Sequence, residues 1–307
     1  MRQLRRAQRD IILQAADMIP SAVVLTRLSD PTIVYANEAL ARLFPASGHP
    51  ASLWRDLNDS ARGRGSQVVV AVDDAPRGVA GWVGLGVAAQ GILYGAPVLA
   101  ASEAAARLLL GHLAERARAL GARQLRVSRF PGEAAKETAL LDLGFAPLLD
   151  MIQVARASRG LPEVPVPGSL GRVAFEEIDW DRFAWAFNTC FAGVPNAPPV
   201  DAAAKREEWE ALDREASQVW RDSLGRYAAW IGVCPDGHVD EVGVDESLRG
   251  RRIAAALYRL AGESAASRGV ASLSALLAST NPATLRLHER LGFREAGRRT
   301  VFALAIA

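Results

Sequence analysis

The 307-residue chain has little cysteine, almost no lysine and no surplus of either charge. Two cysteines, Cys190 and Cys234, are too few for a disulfide framework or a metal cluster, so no metal is expected and a reducing, cytoplasmic compartment is. Lys136 and Lys205 are the two lysines among 36 Lys+Arg, and with the abundance of alanine this reads as base-composition bias. Those 36 cations face 34 Asp+Glu, a formal net charge of +2, which gives no electrostatic case for nucleic acid. The pI of about 8.7 does suit a small anionic ligand.

Long uncharged runs are also scarce. Residues 78–102 carry no charge and could span a bilayer by length, but Gly78, Gly81, Gly84, Gly86, Gly91, Gly95 and Pro97 argue against one continuous helix. Two buried strands, 79–88 and 92–99, are expected there, and no membrane association. At the start, Arg2, Arg5, Arg6 and Arg9 precede only three apolar residues, Ile11 to Leu13, too few for a signal-peptide core. An amphipathic helix over 1–20, stopped by Pro20, is expected.

At about 150 residues per domain the length suggests two units, and the chain repeats its own punctuation. Leu-Gly-Phe occurs at 143–145 and again at 291–293, an offset of 148 residues. Gly121 and Gly269, each closing a long Ala/Leu-rich helix, stand at the same offset. A duplicated domain follows: 1–156, a linker 157–171 with three prolines and three glycines, and 172–307. In the second half strands are expected at 173–178, 218–221, 227–234, 238–244, 271–278 and 300–305. Helices are expected at 180–191, 202–215, 250–268 and 282–291.

The chemistry-bearing residues cluster where the strand 238–244 runs through the short loop Asp245 to Leu248 into Arg249-Gly250-Arg251-Arg252-Ile253-Ala254. A helix start holds pyrophosphate well: the first turn has unpaired N–H groups, the dipole adds partial positive charge, and arginines add charge-assisted donors. Beginning 32 residues after Arg249 come Asn281, Thr284 and Leu287-His288-Glu289-Arg290-Leu291-Gly292-Phe293.

These two segments in this order resemble the GNAT acetyltransferase superfamily, with its acetyl-CoA motif Arg/Gln-x-x-Gly-x-Gly/Ala and its later Leu-Tyr-x-x-Leu-Gly-Phe. The resemblance implies an α/β (α+β) class: two tandem domains, each a mixed, mostly antiparallel sheet flanked by helices. It implies acetyl-CoA as cofactor, with the pantetheine in a wedge between the fourth and fifth strands. Val242, Gly243 and Val244 would offer backbone groups, Arg249, Gly250, Arg251, Arg252, Ile253 and Ala254 would hold the pyrophosphate, and Asn281 would meet the cofactor.

Glu241, rather than its neighbour Asp240 on the opposite strand face, is the expected general base. Two departures stand out: Arg252 replaces the usual glycine, and His288 replaces the tyrosine that protonates the leaving thiolate, a task imidazole can also perform. At the 148-residue offset Arg249, Asn281 and His288 become Ala101, Glu133 and Leu140, so the first half reads as a copy without the chemistry. The implied activity is N-acetylation of a primary amine on a small molecule or peptide, in a ternary complex, by the second half. The competing reading is a non-catalytic acyl-CoA-binding or protein-interaction module. A homodimer stays open.

Overall fold

The computed structural model describes residues 23–26, 68–72, 79–86, 91–100, 103–194, 197 and 199–306. The helix expected over 1–20 lies outside these residues. The chain divides into two compact units, Met1–Leu149 with Arg299–Ala307, and Asp150–Arg298.

In the first unit, β1 (Val23–Thr26), β2 (Val68–Val72), β3 (Val79–Gly86) and β4 (Ile92–Ala100) pair antiparallel in sequence order. The uncharged run is therefore mostly a strand pair, as its glycines suggest. Helix α1 (Glu103–Ala119) crosses over to β5 (Gln124–Arg129), which runs parallel to β4 from Ile92↔Gln124 to Gly95↔Val127. Helix α2 (Ala134–Asp142) follows, and the core gathers Leu109, Leu110, Leu113, Leu125, Leu140 and Phe145.

The second unit repeats this order. Its strands β7 (Gly171–Val173), β8 (Gln218–Arg221), β9 (Tyr227–Val233) and β10 (His238–Val244) form an antiparallel run, and β11 (Ser272–Ala278) joins β10 in parallel. Helices α3 (Trp180–Cys190) and α4 (Ala202–Glu210) cover one face, with a core of Phe183, Phe187, Trp209, Tyr227 and Trp230. Helices α5 (Ile253–Ser267) and α6 (Pro282–Arg290) belong with the other core. There Ile253, Leu257 and Ala261, spaced four apart on one side of α5, are buried with Val239, Leu273 and Ala275, each large side chain contributing about 1.5–3 kcal/mol.

The final strand of each repeat belongs to the other unit. Strand β6 (Ala146–Ala157) pairs antiparallel with β11 from Met151↔Ala278 to Ala157↔Ser272, and β12 (Arg294–Ala305) pairs with β5 from Thr300↔Arg129 to Ala305↔Gln124. Strand 300–305, expected in the second domain, thus completes the first unit, and the closing strand of the first repeat completes the second from Asp150 onward. An open edge on β5 or β11 accepts any strand of matching pattern, so local pattern does not say which copy supplies it.

Residues 157–171, expected as a linker, are packed: Val164 and Leu170 are in the core beside α5, and Gly262 leaves room for the chain at Ser158 and Leu161. Two expected elements are shorter. The strand 173–178 ends at Val173, followed by a 3-10 turn, Phe175–Glu177, and Asp179, which caps α3 by accepting from the Arg182 N–H. The helix 202–215 stops at Glu210, because Asp213 donates its N–H to the Val233 carbonyl and accepts from the N–H groups of Glu215 and Ala216. Among the described residues no helix is long and apolar enough to cross a membrane.

Candidate active site

Strand β10 carries the site because its pairing changes along its length. Its register with β9 shifts between Val239 and Glu241, the mark of a β-bulge. The bulge changes the phase of the strand: Val239 and Val242 both pack toward α5, while Glu241 and Trp230 belong to the α3 and α4 side. On its other edge β10 pairs with β11 only through His238↔Ser274 and Val239↔Ala275, although both strands continue. Past Val239 the two strands part, and that edge of Val242 to Val244 has no strand ladder. His238 marks the junction, half-buried, with Nδ1 3.0 Å from Ser274 Oγ.

Beyond the parting point the chain turns through Glu246–Leu248 into α5. Asp245 Oδ1 accepts from the Ser247 N–H at 3.0 Å. Gly250 and Arg252 both take left-handed backbone, at φ +78° and +63°, and Arg252 is the one non-glycine residue with positive φ among the described residues. This explains why glycine is the usual residue here: a side chain at such an angle costs about 1–2 kcal/mol. Arg252 is the N-cap of α5 and supplies no side-chain cap, so the first N–H groups of the helix lack a partner from that side chain.

Arg251 and Arg252 are exposed. Arg249 folds back, its Nε donating to the Val244 carbonyl at 3.2 Å and its Nη2 to the Cys190 carbonyl at 3.5 Å. A helix start with uncapped N–H groups and two exposed guanidinium groups, next to an unladdered strand edge, fits a ligand with phosphates at one end and amides along its length.

Gly243 lies under the Trp230 indole, and any Cβ there would overlap Cε2 and Cζ2. Trp230 is 1% exposed and its Nε1 has no hydrogen-bond partner. A cleft of about 710 Å³ opens beside it, lined also by Trp185, Cys190, Arg226, Glu246 and Arg249. Trp185, 70% exposed, presents a large aromatic face.

Glu241 is buried, Asp240 exposed. Its Oε2 accepts from Lys205 Nζ at 2.7 Å and its Oε1 from Trp209 Nε1 at 2.9 Å. Burial outweighs the Lys205 charge and pushes the Glu241 carboxyl up to about 7. The Lys205 ammonium is held above its ordinary value despite burial, because it faces two carboxylates, Glu241 and Glu208.

Two residues expected at the cofactor are engaged within the fold. His288 is 2% exposed; its Nδ1 donates to the Thr284 carbonyl at 2.8 Å, which leaves Nε2 to accept from the Tyr258 hydroxyl at 2.6 Å. Phe293 packs edge-on against both rings, and burial lowers the imidazole's proton affinity. Asn281 Oδ1 caps α6 by accepting from the Thr284 N–H at 3.2 Å, with Pro282 opening the helix behind it.

The sequence pattern carried no sign of Trp209, Tyr258 or Trp185 at the site. Lys205 did carry one in its rarity. Among the described residues no group of three or more His, Cys, Asp or Glu could hold a metal ion.

Solved acetyltransferase structures share this fold. A crystal structure of a GCN5-related N-acetyltransferase from Sphaerobacter thermophilus matches with a TM-score of 0.70 at 17% identity, over 94% of this chain and 97% of that one. A tandem GNAT protein from the clavulanic acid biosynthesis pathway matches with a TM-score of 0.65 at 16% identity, over 93% and 99%. By sequence, residues 176–293 match the acetyltransferase (GNAT) family. The mycothiol acetyltransferase of Mycobacterium leprae is 28% identical over 239 residues, 64% of this chain and 74% of that protein. The chain is an acyltransferase.

Proposed function

We propose that the protein is an acetyl-CoA-dependent N-acetyltransferase of a primary amine on a small molecule or peptide, with its chemistry in the Asp150–Arg298 unit. The parting of β10 from β11 directly ahead of the uncapped α5 carries this reading. Acetyl-CoA supplies an acetyl group activated as a thioester. Arg251, Arg252 and the first N–H groups of α5 hold its pyrophosphate, and the free edge of Val242 to Val244 holds its amides and polarises the reacting carbonyl.

Glu241 acts as base. A carboxyl near 7 is half-ionised at neutral pH, and each oxygen, already accepting one hydrogen bond, keeps a lone pair for a proton delivered through water. His288, neutral and with both nitrogens used, holds α6 against α5 and is given no proton-transfer step. The exposed Trp185 and the cleft beside Trp230 offer an apolar wall for the acceptor.

Titration calorimetry with acetyl-CoA is the first test: binding with one dominant site is expected, and no heat at millimolar cofactor sinks the proposal. A thiol-release assay against a panel of primary amines follows. Tight binding with no thiol released from any amine would turn the assignment to an acyl-CoA-binding module.

A further inference from the structure

The chain uses lysine twice, and both lysines are buried, Lys136 at 2% and Lys205 at 1% exposure. Each is paired with a glutamate three residues away, Glu133 and Glu208. A lysine ammonium is a compact point charge with three rotatable donors, a geometry that a planar guanidinium with five fixed donors does not reproduce.

The Lys205 site uses that geometry. Nζ donates to Glu241 Oε2 and to Glu208 Oε2, each at 2.7 Å, and faces the Phe187 ring 3.5 Å from its centroid. Lys136 donates to the Val98 carbonyl at 2.8 Å and pairs with Glu133, a residue of its own helix start. Lys205 differs in its partner: it reaches 36 residues along the chain to the one buried carboxylate of β10.

We propose that Lys205 is a positioning residue for Glu241, fixing Oε2 and favouring the ionised carboxylate, and that half-exposed Glu208, on the same ammonium, moderates that hold. The catalytic part of this inference rests on Glu241 acting as the base. The groups facing Glu241 are Lys205, Glu208 and Trp209 from α4 and the charge of Asp240 from its own strand, while β9 presents Gly232.

The signs follow from Coulomb's law. Without Lys205 the buried carboxylate loses its counter-charge and holds its proton to higher pH. Without Glu208 a nearby negative charge goes and the ammonium is left to Glu241 alone, so the proton leaves at lower pH.

The test uses the full chain with Glu241 followed by carboxyl-carbon NMR titration without cofactor, beside the acidic limb of the kcat/KM profile. Lys205→Met should move the titration up by roughly one to three pH units. Glu208→Gln, at a half-exposed position, should move it down by a smaller amount and remains readable even if Lys205→Met does not fold. The rate limb should move with the titration in both. A titration unmoved in Glu208→Gln, or moved upward, overturns the proposal. A titration that moves while the rate limb stays overturns Lys205 as a positioning residue for the reaction and removes Glu241 as base. Movement of the titration in a protein that acetylates no amine would sink the proposed function while keeping the control of ionisation by Lys205.

Discussion

The Tyr258 hydroxyl donates to His288 Nε2 at 2.6 Å, and the residues 148 positions earlier, Leu110 and Leu140, are both fully buried in the first unit. The same pair of positions, on the helices before and after the fifth strand, is filled by a polar contact in one copy and an apolar one in the other. Tyr258→Phe removes the donor and leaves Nε2 buried without a partner, which should cost about 1–3 kcal/mol. The double change Tyr258→Leu with His288→Leu should be much closer to neutral, since it leaves no polar atom behind. Urea midpoints of the two variants measure the difference. Because the fold depresses the His288 pKa from its ordinary 6.5, the stability tied to its neutral form is present above that pH and is lost as pH falls below it, so wild type should lose ground to the double variant under acid.

Arg252 pins the start of α5 in left-handed backbone. Arg252→Gly relieves that conformation and should stabilise the fold by up to about 1 kcal/mol, some of the gain being offset by the freedom glycine has when unfolded. The same variant should weaken acetyl-CoA binding, since one of the two exposed guanidinium groups is gone. Greater stability together with tighter binding would show that the side chain crowds the ligand.

Gly243 has no room for a methyl beneath Trp230. Gly243→Ala should displace the indole or the strand at a cost of about 1–3 kcal/mol. The shift should be visible as altered tryptophan emission, and acetyl-CoA affinity should fall with it. Gly250→Ala differs in kind: a Cβ there meets open space, so only the backbone penalty at φ +78° is felt.

Glu241 titrates near 7 in the fold against an ordinary 4.5. The fold favours its protonated form, so the stability this group contributes is full below about 4.5 and is lost as pH rises through about 7. Glu241→Gln, which stays neutral, should gain on wild type in thermal midpoint between pH 5 and 8. Its acetyl transfer should fall by about 10²–10⁴-fold while acetyl-CoA binding changes little. A midpoint difference that stays flat with pH would mean that Glu241 does not titrate in this range.

The 148-residue repeat legible in the sequence is kept residue by residue in the last helix and last strand of each copy. Helix α6 (Pro282–Arg290) stands 148 positions after α2 (Ala134–Asp142), and β12 (Arg294–Ala305) the same distance after β6 (Ala146–Ala157). Gly144 and Gly292, from the two Leu-Gly-Phe tripeptides, both have φ +83°. The pyrophosphate loop was legible because its signals, glycine, arginine and a helix start, are local. Strand alternation could place Asp240 and Glu241 on opposite faces, and the family resemblance favoured the glutamate, but the bulge that buries Glu241 was not legible. Nor were its partners, because α4 shows no periodic link to β10, and Tyr258 was equally hidden because nothing in the pattern of α5 says which residue faces α6.

The sequence by itself determined the duplication and the order of elements in the second half, since caps, turns and hydrophobic periods act over a few residues. Tertiary structure decided which unit each last strand completes, where β10 bulges and parts from β11, and that Lys205 meets Glu241. These depend on strand edges and side chains far apart in the chain, where geometry in three dimensions selects among partners that local pattern leaves equivalent.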